Sequence, residues 1–184
     1  NDYLEVGASI LDINLAKFAQ FNKIKNFEFY TGIPGSIGGA IKMNAGCYGY
    51  ETKNILKSAT IMNSKGELNS LSKDKINLSY RNSSIKNGDI ITSANYYVKY
   101  GNKEEILNTM KDIKYKRENS QPLKTKTSGS TFKNPPNNYA AKLIESADCK
   151  GLSVGDAVVS QKHANFLINK NNASASEIES LGSK

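Results

Sequence analysis

The chain has 184 residues, 38% of them hydrophobic and 23% charged with both signs interspersed, enough for one large core or two small ones and unlike a disordered chain. Its 25 Lys and Arg against 17 Asp and Glu leave a net charge of +8, so a folded basic protein is expected. No apolar run approaches the roughly 20 residues that cross a bilayer, and Asn1 to Val6 lacks both parts of a secretion signal, which predicts a cytoplasmic protein that engages no membrane.

Tyr3 to Ser9 reads as a strand, and Asn14 to Asn22 as a short helix with Leu15, Phe18 and Ala19 on one face. A glycine-dense segment runs from Gly32 to Gly49. Leu56 to Met62 and Glu67 to Leu71 then flank Asn63-Ser64-Lys65-Gly66, a hairpin signal. Asp89 to Tyr100 alternates, with Ala94, Tyr96, Val98 and Tyr100 on one side. Asn102 with Glu105 forms a capping box for a helix that carries Ile106, Met110 and Ile113 and ends near Arg117. The spacing thus predicts a first domain over 1–117 and a polar linker over 118–128, interrupted by Pro122. The second domain, 129–184, is expected to hold an extended Ser130 to Lys133, a helix over Tyr139 to Ala147, paired strands near Val154 to Ser160 and Ala164 to Asn169, and a helix capped by Ser174 and Glu177. There is no internal repeat.

Several chemistries are excluded or weakened. Cys47 and Cys149 stand far apart and His163 is the single histidine, so no zinc site of the usual Cys/His kind can form, and no metal is expected. Arg81 and Arg117 are the only arginines among scattered lysines, without a basic stripe interleaved with aromatics. That pattern argues against nucleic acid and suits small polyanions equally well.

Between Gly32 and Gly49 lie six glycines, too many for a helix or strand interior, where each costs about 0.5 to 1 kcal/mol relative to alanine. Left-handed turns, or backbone N–H groups brought close to a phosphate-bearing cofactor, are the two uses of such a bare backbone. The spacing matches neither the dinucleotide fingerprint nor a P-loop. In Tyr80-Arg81-Asn82-Ser83 the guanidinium could hold a carboxylate or a developing negative charge. In Ser128-Gly129-Ser130-Thr131 a serine could serve as nucleophile only with His163 as base, whereas a proton donor needs only position and a stabilised charge.

Taken together, Gly32 to Gly49, Tyr80 to Ser83, Gln121-Pro122 with Ser128 to Pro135, and Ser160 to Asn169 closely resemble the UDP-N-acetylenolpyruvoylglucosamine reductase family in the same order. The resemblance implies an α+β fold. It consists of an FAD-binding domain of the vanillyl-alcohol-oxidase/PCMH type, antiparallel-rich and incomplete here, followed by a smaller α+β domain for the UDP-sugar. It implies FAD as cofactor and NADPH as reductant in peptidoglycan synthesis, with UDP-N-acetylglucosamine enolpyruvate as substrate and a monomeric protein. Hydride passes from reduced FAD to the enolpyruvyl double bond. Ser130 corresponds to the serine that protonates the enol, and Arg81 to the arginine that stabilises the enolate. Gly32, Ile33, Pro34, Gly35, Ser36, Gly38, Gly39, Asn44, Ala45 and Gly46 fall on the FAD-lining loop. Tyr80, Lys133, Asn134, His163 and Asn165 fall on the substrate side, His163 being equally well read as a structural histidine.

The same resemblance marks departures. The family's glycine-serine-asparagine turn for the FAD pyrophosphate does not precede Asn1, and its catalytic glutamate does not follow before Lys184, so an internal fragment with little or no turnover of its own is expected. The short span from Arg81 to Gln121 matches the branch without the extra tyrosine-bearing loop. Two alternatives remain beside this reading: another FAD-dependent oxidoreductase of the same fold, or a non-catalytic remnant or basic binding module.

Overall fold

The computed structural model describes residues 2–184, and the chain separates into one unit ending at Tyr115 and another running from Lys116 to Lys184. In chain order the elements are β1 (Tyr3–Gly7), α1 (Asp12–Phe21), the 3-10 turn η1 (Glu28–Gly32), α2 (Ile37–Lys42), β2 (Gly46–Cys47), β3 (Tyr50–Glu51), α3 (Thr52–Ile55), β4 (Leu56–Met62), β5 (Leu68–Ser72), α4 (Lys73–Ile76), β6 (Ile90–Tyr97) and α5 (Lys103–Ser120). There follow α6 (Ala140–Ser146), β7 (Ser153–Val154), β8 (Ala157–Val159), β9 (Leu167–Asn169) and α7 (Ala175–Gly182). This is an α+β fold whose named strands all pair antiparallel.

In the first unit the main sheet has the order β1-β6-β4-β5. The expected hairpin forms, with β5 starting one residue late because Asn63 Oδ1 accepts the Lys65 and Glu67 N–H groups and extends the turn. Along β4 the buried residues are Leu56, Ala59 and Ile61, an uneven spacing for a strand. A register shift between Leu56 and Ser58 inserts one unpaired residue and turns the following side chains back to the core. On β6, Ala94 and Tyr96 are buried as the alternation predicts, but the strand stops at Tyr97 and Tyr100 is 64% exposed. The backbone beyond it leaves the sheet to pair with 23–25, Lys25 donating to the Lys99 carbonyl and Gly101 to that of Lys23.

Two helix expectations need correction. α1 begins at Asp12 and buries Asp12, Leu15, Ala16 and Ala19, while Phe18 is 50% exposed. That stripe, rather than the one through Phe18, has the 3.6-residue period that faces the sheet. The glycine segment also contains a true helix, α2, with Gly38 and Gly39 inside it. The glycine at 38 answers a packing need: its N–H donates to the Ala8 carbonyl at 2.9 Å, and a side-chain carbon there would stand 3.3 Å from Ala8 Cβ. Close backbone approach thus outweighs the helix cost of the glycine at 38.

The first core closes around Phe27, Tyr30, Tyr96, Ile37, Ile41, Leu56 and Ile76, all fully buried. Two phenols inside it need partners. Thr52 Oγ1 donates to the Ala45 carbonyl at 2.9 Å, so it can only accept from Tyr30 Oη at 3.1 Å. Tyr30 has then used its proton and must accept from Tyr96 Oη at 3.2 Å. The result is a one-way chain of hydroxyls ending on the backbone of the glycine segment. Burial raises the pKa of both phenols, which stay neutral.

α5 is capped by Asn102 Oδ1, which accepts the Glu104 and Glu105 N–H groups, and buries Ile106, Met110 and Ile113 as expected. It runs on to Ser120, past the expected end at Arg117 and into the stretch expected as linker, because Arg117 Nε bonds Gln121 Oε1 and Ser120 Oγ bonds the Lys116 carbonyl. In the second unit, the order β7-β8-β9 packs Ala157, Val159, Leu167 and Leu181 together. The Ser174–Glu177 capping box on α7 forms with both of its bonds. The strands are shorter than predicted, since 160–166 is a tight loop closed by Ser160 N–H on the Phe166 carbonyl and Phe166 N–H on that of His163. The expected extended segment at Ser130 makes one bridge, to Phe166.

The hydroxyl chain makes an ordered prediction. Thr52→Val leaves a buried phenol without its acceptor and should cost about 1 to 3 kcal/mol, whereas Tyr96→Phe, at the donor end, should cost about 1 kcal/mol or less. Urea unfolding midpoints decide it: equal losses would remove the direction drawn for the chain, and a larger loss for Tyr96→Phe would reverse it.

Candidate functional site

The loop from Gly32 to Gly46 is built on backbone crossings. Ile37 and Gly38 donate to the Ile10 and Ala8 carbonyls at 2.9 Å each, and Asp12 donates to the Gly35 carbonyl at 3.0 Å. Ser36 caps α2 by accepting the Gly39 N–H at 3.4 Å, and Lys42 Nζ bonds the Ile85 carbonyl. Ile33 packs on the core, while Pro34, Gly35 and Gly39 are exposed. Beside this loop lies a cleft of about 510 Å³ lined by Ser9, Ser36, Gly39, Lys42 and residues 86–89. Gly32 is packed from behind by Cys47, whose Sγ donates to the Phe29 carbonyl at 3.2 Å. At Gly46 a side-chain carbon would meet the Tyr50 carbonyl oxygen at 2.5 Å, so only glycine lets β2 and β3 close.

Asn44 and Ala45, predicted on the same loop, turn inward. Asn44 is buried at φ 43°, its Nδ2 donating to Glu51 and, at 3.3 Å, to the Ser79 carbonyl, while its Oδ1 accepts the Lys53 N–H at 3.0 Å. The Ala45 carbonyl receives both the N–H and the hydroxyl of Thr52. Asn44 therefore links the loop to the tight turn Ser79–Asn82, whose two ends exchange backbone hydrogen bonds at 3.1 Å. At the tip of that turn Tyr80 is exposed and Arg81 holds φ 50°. A left-handed arginine is uncommon, and its Nη1 is buried without a hydrogen-bond partner. Thr31 Oγ1 and Ser83 Oγ are buried and unpartnered as well. Ser83 closes the Tyr80–Ser83 motif, which pointed only to Tyr80 and Arg81, and no sequence pattern pointed to Thr31.

In the second unit Gly129, at φ 92°, turns the chain so that the exposed Ser130 follows in a bridge with Phe166. Asn165 is 3% exposed and both ends of its amide go to Phe132: Oδ1 accepts its N–H at 2.9 Å and Nδ2 donates to its carbonyl at 2.9 Å. Its side chain thus pins the Ser130–Lys133 segment from behind. Lys133 is exposed, and Asn134 Oδ1 accepts the Ala140 N–H that starts α6. Buried Ser160 Oγ accepts the Lys162 and His163 N–H groups. His163 Nδ1 accepts the Asn165 N–H at 3.3 Å, and its ring meets Phe166 edge-on at 4.7 Å. Burial lowers its pKa from the ordinary value, so at neutral pH the ring is uncharged with its proton on Nε2. Thr131 Oγ1 is buried without a partner. Among the described residues, no group of three or more His, Cys, Asp or Glu could hold a metal, and no helix is long and apolar enough to cross a membrane.

Comparison with known proteins bears on both units. A family profile described as an FAD binding domain matches residues 1–72, and one described as the UDP-N-acetylenolpyruvoylglucosamine reductase C-terminal domain matches 121–184. Proteins named UDP-N-acetylenolpyruvoylglucosamine reductase are similar along nearly the whole chain. That of Gluconobacter oxydans is 44% identical over 97% of this chain and 58% of its own length, and that of Clostridium kluyveri 47% identical over 96% and 58%. The crystal structure of the reductase from Thermus caldophilus superposes with a TM-score of 0.92 at 35% identity, covering 98% of this chain and 66% of that one. The chain therefore spans a little over half the length of the curated relatives it matches, and by sequence and by fold it belongs to the UDP-N-acetylenolpyruvoylglucosamine reductase family.

Proposed function

We propose that the chain forms the flavin loop and the sugar-nucleotide domain of an NADPH-dependent, FAD-containing reductase that converts UDP-N-acetylglucosamine enolpyruvate to UDP-N-acetylmuramate for peptidoglycan. The observation that carries this reading is the pairing of a glycine loop beside a polar cleft with an arginine held in a left-handed turn and a buried, unpartnered guanidinium nitrogen. The first unit fits FAD: Ser36, Gly39 and Lys42 line an open cleft, and the hydroxyl of Thr31, in η1 just before the loop, lacks a partner. Bound FAD supplies hydride transfer, with NADPH as the source.

The chain's own residues supply the rest. Arg81 holds the enolpyruvyl carboxylate and lowers the energy of the enolate that forms once the double bond takes up hydride. Ser130 then delivers its hydroxyl proton to the neighbouring carbon and is reprotonated from water, so that one hydride and one proton are added in all. A neutral serine gives up a proton only against strong developing negative charge, which is why the two residues belong to one step. Lys133 and the Nε2 proton of His163 offer a cation and a neutral donor to the nucleotide sugar. Asn165 serves by fixing the strand that carries Ser130. Both substrate and reductant are multiply charged anions that do not cross a bilayer unaided, which supports a cytoplasmic location. A monomer completes the reading.

The chain should bind FAD saturably, with a change in flavin fluorescence, and UDP-N-acetylglucosamine should shift the titration. An unaffected flavin signal would count against the cleft. In the holoenzyme, Ser130→Ala should leave flavin reduction by NADPH within about twofold and slow flavin reoxidation by substrate at least about a hundredfold. Stopped-flow absorbance separates the two half-reactions, and equal losses in both would remove Ser130 from the proton-donor role. Arg81→Lys should also slow reoxidation, because an ammonium keeps the charge without the planar fork. Reoxidation at the parent rate in that variant would dismiss the carboxylate clamp.

A further inference from the structure

The most deeply placed carboxylate in the first unit has no part in this chemistry. Asp12, the first residue of α1, is 0% exposed, and neither of its oxygens has a hydrogen-bond partner. Burial alone pushes its pKa up to about 7. The titratable groups that sense it are Tyr30 from η1 and Tyr96 from β6, both kept neutral by their own burial, so neither offsets a charge on Asp12. The loop from Gly32 to Gly39 contributes no titratable side chain, Lys17 on α1 is exposed, and so is Glu5 on β1.

What Asp12 touches is the glycine loop. Its N–H holds the Gly35 carbonyl at 3.0 Å, the preceding Leu11 bridges Ser36, and a side-chain carbon at Gly35 would stand 3.0 Å from Asp12 Oδ2. The carboxyl group therefore fills the underside of the turn Pro34-Gly35-Ser36. As a neutral acid it rests there at a far smaller cost than as an anion. As an anion it must reach water or backbone N–H groups, which here belong to the first turn of its own helix and to the Pro34–Ser36 turn packed on it, so ionisation pulls on that turn.

We propose that Asp12 is a positioning residue for the cofactor loop, holding the Pro34–Ser36 turn in place as a neutral carboxylic acid and releasing it on ionisation. The ligand in this inference rests on the flavin reading above; the coupling of Asp12 to the loop does not. A dinucleotide diphosphate brings negative charge to the same loop, which makes ionisation of Asp12 still less favourable. By linkage, cofactor binding takes up a proton. Affinity should be flat below the Asp12 midpoint and fall as pH rises above it, by at most about tenfold per pH unit for a single proton.

The test needs two readouts on the same chain. Without cofactor, the Asp12 carboxyl carbon and the Gly35 and Ser36 amides, followed by NMR between about pH 5 and about pH 9, should titrate together with a midpoint near 7. In Asp12→Asn, which keeps the shape without the charge, the two amides should stay at their low-pH positions. With cofactor, flavin fluorescence should show FAD affinity falling above that midpoint in the parent chain and a flat profile in Asp12→Asn. Loop amides that ignore pH, or that titrate equally in the variant, would overturn the proposal. If the variant does not fold, the parent still decides: an Asp12 carboxyl that titrates in the ordinary carboxylate range refutes the idea. Failure to bind FAD at any pH would sink the flavin reading instead, and leave the loop titration to judge Asp12.

Discussion

The first unit depends on one backbone crossing, in which Ala8, Ile10 and Asp12 meet Gly38, Ile37 and Gly35 through hydrogen bonds of 2.9 to 3.0 Å. Main chain lies against main chain there. The crossing accepts only small residues at its closest points, such as Ala8 against Gly38. The same closeness leaves the outer side of the loop bare, with Gly35 and Gly39 exposed. A loop that must approach a ligand with its backbone must be held from behind by something equally thin, and a second backbone segment does that.

Behind the crossing the core is polar in a controlled way. The chain of hydroxyls from Tyr96 through Tyr30 and Thr52 ends on the Ala45 carbonyl, and Asn44 ties the next residue to the turn that carries Arg81. Each buried polar atom in this chain has a partner, so the loop is fixed by direction as well as by contact. The unpartnered atoms are few and specific: the Asp12 oxygens, Thr31 Oγ1, Arg81 Nη1 and Ser83 Oγ among them. In an otherwise satisfied interior, such atoms are the ones that call for a partner from outside the chain or for a changed protonation state.

The second unit solves a similar problem with one side chain. Asn165 replaces a strand partner for Phe132, accepting its N–H and donating to its carbonyl, so the segment with Ser130 is held without a full ladder. Ser160 Oγ fixes the loop of Lys162 and His163 by accepting both of their N–H groups. Short polar side chains bonded to backbone let this unit carry irregular, exposed segments on a core of only a few apolar side chains from β8, β9 and α7.

The amino-acid sequence by itself determined what depends on near neighbours. The turn signal at Asn63–Gly66 marked β4, alternation marked the buried pair Ala94 and Tyr96, caps at Asn102 and Ser174 placed two helix starts, and the glycines announced a bare backbone. The motif order carried the family. Tertiary structure alone decided which face met what: that Gly38 and Gly39 sit in a helix, that Asp12 and not Phe18 faces inward, that β6 stops at Tyr97, and that Asn44 and Asn165 turn their amides into the protein. A periodic pattern fixes the spacing of buried positions along one element. It holds no record of the backbone that crosses that element from a distant part of the chain, and here that crossing sets the burial of Asp12, the need for Gly38 and the shape of the loop.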